Sequence, residues 1–313
     1  MIPATMRDAF LERIYGAMRS DSSIFFLSAD FGAPVLDRIR AEFPDRFLNV
    51  GIAEQNLINV AAGLSLEGFR VFTYAIAPFY LRAYEQIRIN LSMLAGGRGM
   101  NVNLIAVGAG CGYVIAGPSH HCFEDLAAMR LLPGVRVVSP SDSATAAASF
   151  ELTEQPGLRY FRFDAQKLPL PGDAATAFPS SGFRLLREDP EPQCVFVSTG
   201  YMTHFAKRIA ESLAGDLRVR HVDLLDFEAP ATALAAQLNA PAVVSFEEAF
   251  TGRGGLDALV RGCLPPGTAF RAFGLPPRFE FAGTDRESTL RKYGLTVEGV
   301  AGELSVWLKE ERR

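Results

Sequence analysis

Cysteine is scarce and scattered. The 313-residue chain has four thiols, Cys111, Cys122, Cys194 and Cys263, with no Cys-x-x-Cys pair among them. That excludes a disulfide frame or structural zinc site as the organising device, and it is the pattern of a reducing cytoplasm. All four read as buried or incidental thiols. No apolar run approaches the ~18 residues that a membrane-spanning helix requires. The opening residues, Met1-Ile2-Pro3-Ala4-Thr5-Met6-Arg7-Asp8, meet an acid before any apolar stretch could serve as a signal core. No targeting segment is expected, and the cytoplasm is the expected location. Lys and Arg total 31 against 35 Asp and Glu, a formal net charge of −4. Without a basic stripe, nucleic acid and membrane surfaces lack their electrostatic footprint as partners.

Phosphate-cradling glycine motifs are also missing. Gly96-Gly97-Arg98-Gly99 follows a predicted helix, and Gly252-Arg253-Gly254-Gly255 lacks the spacing of a nucleotide fingerprint. Gly108-Ala109-Gly110-Cys111-Gly112 follows a strand, but no helix opens directly behind it. Each reads as a turn or a close backbone approach. There is no internal repeat and no low-complexity tract.

What is present is an alternation of strand-like and helix-like segments, in a chain with 49% hydrophobic and 21% charged residues. The expected fold class is α/β, with two domains, each a mostly parallel sheet flanked by helices. Met6, Phe10, Ile14, Ala17 and Met18 share a helical face, with Thr5 and Asp8 spaced as a capping box. Ile24–Ser28 reads as a strand buried on both faces. A helix over 55–66, a strand over 70–74, a helix over 79–94 and a strand over 102–107 follow. Beyond these, a helix over 123–131 lies between the strands 135–139 and 158–163 in the expected layout. The first domain is placed at 1–166 and the second at 191–313. An exposed linker is expected over 167–190, from Leu168-Pro169-Leu170-Pro171-Gly172-Asp173 onward.

Three blocks carry candidate chemistry. In Asn49-Val50-Gly51-Ile52-Ala53-Glu54-Gln55, Glu54 stands between a strand end and a helix of small residues, where parallel sheets place ligands. The plain alternative is a helix-start charge favoured by the macrodipole. In Gly117-Pro118-Ser119-His120-His121-Cys122-Phe123-Glu124-Asp125, two histidines occupy a turn before a helix that Ser119 is expected to cap. Neighbouring residues seldom supply two metal ligands, so a turn histidine meeting a polar ligand is weighed against a structural one. In Leu158-Arg159-Tyr160-Phe161-Arg162-Phe163, the arginines face opposite sides of a strand. One is expected to reach the strand-end crevice and the other to be a surface charge.

The order of these blocks resembles transketolase and, more distantly, deoxyxylulose-phosphate synthase. It runs from Arg46-Phe47-Leu48-Asn49-Val50-Gly51-Ile52-Ala53-Glu54-Gln55 through Phe79-Tyr80-Leu81-Arg82-Ala83-Tyr84-Glu85-Gln86 and Gly117-Pro118-Ser119-His120. Leu132-Pro133-Gly134-Val135 and Pro140-Ser141-Asp142 complete a likeness to that family's pyrimidine-binding domain. Ser198-Thr199-Gly200 and Val244-Ser245-Phe246-Glu247-Glu248 resemble its C-terminal domain.

The resemblance implies a thiamine-diphosphate enzyme. In such enzymes the glutamate bonds the aminopyrimidine and drives it to the imino tautomer. That form generates the thiazolium ylid, which attacks a ketose carbonyl. Glu54 matches that catalytic glutamate. Phe79, Arg82 and Asp30 match cofactor-proximal positions, and His120, Arg162 and Arg7 match substrate-binding ones. Arg7 lies 23 positions before Asp30. Two family positions differ: Ala116 stands for an acidic residue that reads a sugar hydroxyl, and a histidine is missing near Gly108. The usual pentose phosphates are therefore not assumed as substrates, and a modified sugar becomes plausible.

No Gly-Asp-Gly diphosphate signature occurs in the sequence. The resemblance thus implies a split enzyme in which a partner subunit holds the diphosphate and Mg2+ (or Ca2+), two copies of each chain forming a heterotetramer. Glycolaldehyde transfer is the expected activity. Two alternatives are the beta-type subunit of a 2-oxoacid dehydrogenase or split decarboxylase, and a non-catalytic subunit. Gly-Pro-Ser-His and the Tyr-Glu-Gln segment favour transketolase over the first, and the joint presence of Glu54, Phe79 and His120 speaks against the second.

Overall fold

Thr5 opens the first element. Its hydroxyl accepts from the Asp8 amide at 3.1 Å and caps α1, Met6–Met18, which buries Met6, Phe10, Leu11, Ile14 and Met18. Only the threonine half of the expected capping box is seen, because the Asp8 carboxylate takes Arg7 Nε at 2.8 Å. In this computed structural model, residues 5–172, 176–281 and 285–311 are described.

The first domain is built on six strands: β1 (Ile24–Ser28), β2 (Phe47–Asn49), β3 (Arg70–Ile76), β4 (Asn101–Val107), β5 (Val135–Val138) and β6 (Gly157–Phe163). They are all parallel, in the order β2-β1-β3-β4-β6-β5. Ile24, Phe26, Phe72 and Phe161 pack with α1 on one face. Leu27, Val71, Leu104 and Tyr160 face the opposite core with α3, Glu54–Leu66. Burial on both faces explains why these strands read as continuous apolar runs.

The helix expected over 79–94 is broken. Residues 77–98 pass through short helical turns, a π-helical stretch at Ile87–Ser92 and a final turn at Met93–Arg98. Tertiary bonds set this path: the Tyr80 hydroxyl reaches Thr73 Oγ1 at 2.8 Å and the Tyr84 hydroxyl reaches the Ala128 carbonyl at 2.9 Å. Ser119 does not cap the next helix. That helix begins at Asp125 behind Glu124, while Ser119 Oγ lies 3.0 Å from His120 Nδ1. A bridge between Gly110 and Cys122 closes the intervening loop ahead of the helix start.

The second domain carries β7 (Phe183–Arg187), β8 (Cys194–Ser198), β9 (Val219–Leu224), β10 (Ala242–Phe250) and β11 (Ala269–Leu275), in the order β11-β10-β8-β9-β7. Only β7 runs antiparallel, along β9. It lies inside the segment 167–190 expected as linker, because its Phe183 side chain has a buried place in the core. Residues 173–175 of that segment lie outside the described residues. The domains meet in a tight seam. The Ser139 amide donates to the Leu225 carbonyl at 2.7 Å, and the Phe227 amide donates to the Val137 carbonyl at 2.9 Å. Across the same seam Arg184 is held by Asp142 and Asp223.

Candidate active site

Strand order locates the crevice. From β1 the chain moves to β2 on one side, then crosses to β3 on the other. Beyond the carboxyl ends of β1 and β3 the connections therefore diverge, which is where open parallel sheets bind ligands. Asp30 and Phe79 follow those two strands.

Asp30 has φ 55°, the only positive φ of a non-glycine residue among those described. Asn49 holds it there: Asn49 Nδ2 donates to Asp30 Oδ1 at 2.8 Å, and Asn49 Oδ1 accepts from the amides of Asp30 and Gly51 at 3.0 Å each. A left-handed residue costs on the order of 1 kcal/mol, so Asn49 ties the ends of β1 and β2 into one rim. Sequence reading passed over Asn49; a signal was its place just before Gly51, whose φ is 76°.

Glu54 is the first residue of α3, 3% exposed. Its Oε2 is buried without a hydrogen-bond partner among the described residues. The helix N-terminus favours the negative charge, but a bare carboxylate oxygen still costs about 1–3 kcal/mol or more. Such an atom fits a ligand donor, and the aminopyrimidine of thiamine diphosphate is a group it could meet.

Phe79 and His120 come together. Their rings lie edge to face, with centroids 5.3 Å apart, and both side chains are half-buried. Ser119 turns His120 through Nδ1, leaving Nε2 free to face a ligand. Arg82 is exposed on the turn after Phe79. His121 is buried against Phe123, with rings 5.4 Å apart and neither nitrogen hydrogen-bonded among the described residues. Burial lowers its pKa, so it is neutral. No three His, Cys, Asp or Glu side chains among the described residues gather as a metal site.

The two arginines of β6 depart from expectation. Neither is a surface charge: Arg159 is 4% exposed and Arg162 is 3% exposed, because both faces of the sheet are covered. Arg162 Nε bonds Asp125 at 2.9 Å, and its Nη2 donates to the carbonyls of Cys122 and Glu248 at 3.3 and 3.2 Å. The guanidinium is thus turned toward Asp125 and the domain seam. Arg159 has only neutral acceptors, including the amide oxygens of Asn101 and Asn103 at 3.2 Å. Burial lowers its pKa to about 10, with Arg136 and Arg70 adding repulsion. Arg7 is half-buried at the start of α1, beside the Tyr74 phenol.

The glycines of 108–112 serve close approach. A Cβ on Gly110 would lie 2.0 Å from Glu248 Oε2, which accepts from the Cys111 amide at 2.9 Å. Glu248 also pairs with Arg286 at 3.1 Å, and Arg286 pairs with Asp164 at 2.6 Å. This buried chain, which sequence reading missed, locks the loop before His120 onto the second domain.

Known proteins match this chain over most of its length. The family described as "Transketolase, pyrimidine binding domain" matches residues 3–169. The 6-deoxy-6-sulfo-D-fructose transketolase subunit SqwH of Clostridium sp. (strain MSTE9) is 30% identical over 309 residues, covering 94% of this chain and 92% of that one. The 1-deoxy-D-xylulose-5-phosphate synthase 2 of Geobacter sulfurreducens is 31% identical over 284 residues, covering 86% of this chain and 43% of that one. A solved structure described as "Split gene transketolase, inactive beta4 tetramer" superposes with a TM-score of 0.84 at 30% identity, covering 98% of this chain and 99% of that one. With the two-sheet fold, the strand-end crevice and a relative of its own length in agreement, the chain belongs to the transketolase family.

Proposed function

We propose that this chain is the C-terminal subunit of a two-component, thiamine-diphosphate-dependent transketolase. It transfers a two-carbon ketol unit from a ketose or ketose phosphate to an aldose acceptor. The observation that carries this reading is the buried, partnerless Oε2 of Glu54 at the strand-end crevice. The similarity to proteins described as transketolase subunits supports the split architecture.

When bound, thiamine diphosphate supplies the carbanion chemistry, and the protein supplies orientation. Glu54 holds a proton between its Oε2 and a pyrimidine nitrogen, the task of a positioned general acid–base. Phe79 offers its ring to the pyrimidine, with Asp30 and Arg82 at the rim. His120, turned by Ser119, presents Nε2 to a substrate oxygen. Arg7 draws the anionic end of the substrate. Arg162 acts as a positioning residue that braces the loop before the 125–130 helix through the Cys122 carbonyl and Asp125.

A partner subunit would hold the diphosphate and Mg2+ or Ca2+, with two copies of each chain in a cytoplasmic heterotetramer. The description of one relative as acting on 6-deoxy-6-sulfo-D-fructose makes a sugar with an acidic terminus a substrate to try first. The test is reconstitution with the diphosphate-binding partner, thiamine diphosphate and magnesium, following glycolaldehyde transfer against carbon dioxide release. Transfer with the partner and essentially none from this chain alone is expected. Full turnover by the single chain, or release of carbon dioxide from a 2-oxoacid without transfer, would overturn the reading.

A further inference from the structure

Strand β10 breaks its register at Glu247 and Glu248. Phe246 pairs with Phe273 and Phe250 with Leu275, so four steps along β10 face two along β11. Gly274 makes the room: a Cβ there would lie 2.8 Å from the Glu247 carbonyl oxygen and 3.0 Å from that of Ala249. Such a bulge re-aims side chains and is rare between parallel strands. Here it sends two neighbouring carboxylates to different domains. Glu247 accepts from the Leu256 and Asp257 amides of its own domain. Glu248 crosses to the first domain, where its Oε2 accepts from the Cys111 amide, 137 residues away.

Cys111 lies at the neck of the loop that carries His120. Paired backbone bonds close this neck, from the Gly110 amide to the Cys122 carbonyl at 2.9 Å and from the Cys122 amide to the Gly110 carbonyl at 3.0 Å. Residue 248 grips both sides of it. Its carboxylate takes the Cys111 amide on one side. On the other, its carbonyl accepts from Arg162 Nη2, which also donates to the Cys122 carbonyl. Arg286 steadies the carboxylate, pairing with Oε1 at 3.1 Å and with Asp164, just past β6, at 2.6 Å.

Glycine at 110 is what lets the carboxylate in. Its φ is 57°, and a Cβ would lie 2.0 Å from Glu248 Oε2. A carboxylate that served its own domain would find donors there, as Glu247 does. Glu248 fixes instead the path of a loop in the other domain. The His120 imidazole travels with that loop, because its Nδ1 lies 3.0 Å from the hydroxyl of the adjacent Ser119.

We infer that Glu248 is a positioning residue, which clamps the neck of this loop from the second domain and so sets where His120 meets the substrate. The inference rests on the ketol-transfer reading above, and it gives the second domain a share in substrate affinity.

The test uses the full chain with its partner, thiamine diphosphate and magnesium. The donor is whichever of hydroxypyruvate, fructose 6-phosphate and 6-deoxy-6-sulfofructose the unaltered enzyme consumes fastest. Glu248→Gln keeps the shape and removes the charge. Gly110→Ala keeps the charge and pushes Oε2 off the Cys111 amide. Each should raise the donor KM about tenfold, the scale of a lost hydrogen bond to a charged group. Turnover should stay within about threefold, since the bond removed serves binding. In a His120→Ala background neither variant should raise KM further, because residues acting through one contact are not additive. Amide hydrogen exchange should quicken from Cys111 to His121 in both variants and stay as it was in the Tyr201–Ser212 helix. An unchanged KM in both variants, or the same rise with His120 absent, would overturn the inference alone. Loss of the cooperative urea transition in both would do so too, by making Glu248 a residue of stability. If the unaltered enzyme consumes none of the three donors, the ketol-transfer reading falls and the inference with it.

Discussion

Asp125 and Glu54 lie in the same domain, each opening a helix and each almost without solvent exposure, but only Asp125 is fully provided with partners. Arg162 Nε reaches both its oxygens at 2.9 and 3.1 Å, and the Tyr160 hydroxyl adds a third bond at 3.1 Å. In the second domain Glu247 is likewise closed, accepting from the Leu256 and Asp257 amides at 2.7 and 3.1 Å. Glu54 keeps one oxygen bare. The difference follows location. Asp125 and Glu247 have donors of the chain within hydrogen-bond reach, and Glu54 stands past the carboxyl end of β2. Burial alone does not mark a working carboxylate, because structural ones are buried too. Burial with a missing partner makes Glu54 the candidate.

Opening a closed carboxylate should bring the largest change. Arg162→Met leaves Asp125 buried beside a neutral side chain and should lower stability by about 3–5 kcal/mol, read in urea unfolding of the isolated chain. A loss under 1 kcal/mol would mean that Asp125 has other support, and the contrast with Glu54 would weaken.

Removing the open carboxylate should do the reverse. Glu54→Gln relieves an unpaired buried charge, so the urea midpoint should hold or rise. Ketol transfer by the reconstituted enzyme should fall about a hundredfold or more, the scale of general acid–base catalysis. Turnover near that of the unaltered enzyme would remove Glu54 from the chemistry.

The smallest effect concerns pH. Burial, opposed by the Leu256 amide, raises Glu247 from 4.5 to about 7. The folded chain therefore keeps this proton to higher pH than the unfolded chain does. The group's contribution is most favourable below about 4.5, falls as pH rises from 4.5 to 7, and is flat above. Glu247→Gln should shrink the difference in stability between pH 5 and pH 8 by on the order of 2 kcal/mol. Thermal melts at the two pH values would show it, and an unaltered pH dependence would place the proton elsewhere.

Much of this was legible beforehand where local pattern and tertiary demand agree. Five of the six strands of the first sheet, β1, β3, β4, β5 and β6, were predicted to within a few residues, since burial on both faces writes itself as a continuous apolar run. Glu54 was singled out because parallel sheets place ligands at strand ends and because the order of motifs around it matches the family's glutamate. The misses share one cause. The bend at 77–98, the late helix start at Asp125 and the strand within 167–190 answer to contacts with residues far along the chain. Tyr80 and Tyr84, for example, bond to Thr73 and Ala128. Arg159 and Arg162 were rightly assigned to opposite faces, but the cover over each face comes from other elements.

The sequence by itself determined the α/β class, the two-domain plan and the order of motifs that joins this chain to its family. Periodicity and residue order are properties of the chain alone. The tertiary structure decided which charges are closed and which are open. The partners of Asp125, Glu247 and Glu54 are not written in the sequence around them, and only the folded chain brings Arg162 and the Leu256 amide to the first two while leaving Glu54 Oε2 bare. Partners of this kind come from distant residues, and electrostatic satisfaction depends on distances of a few ångströms that the linear order does not contain.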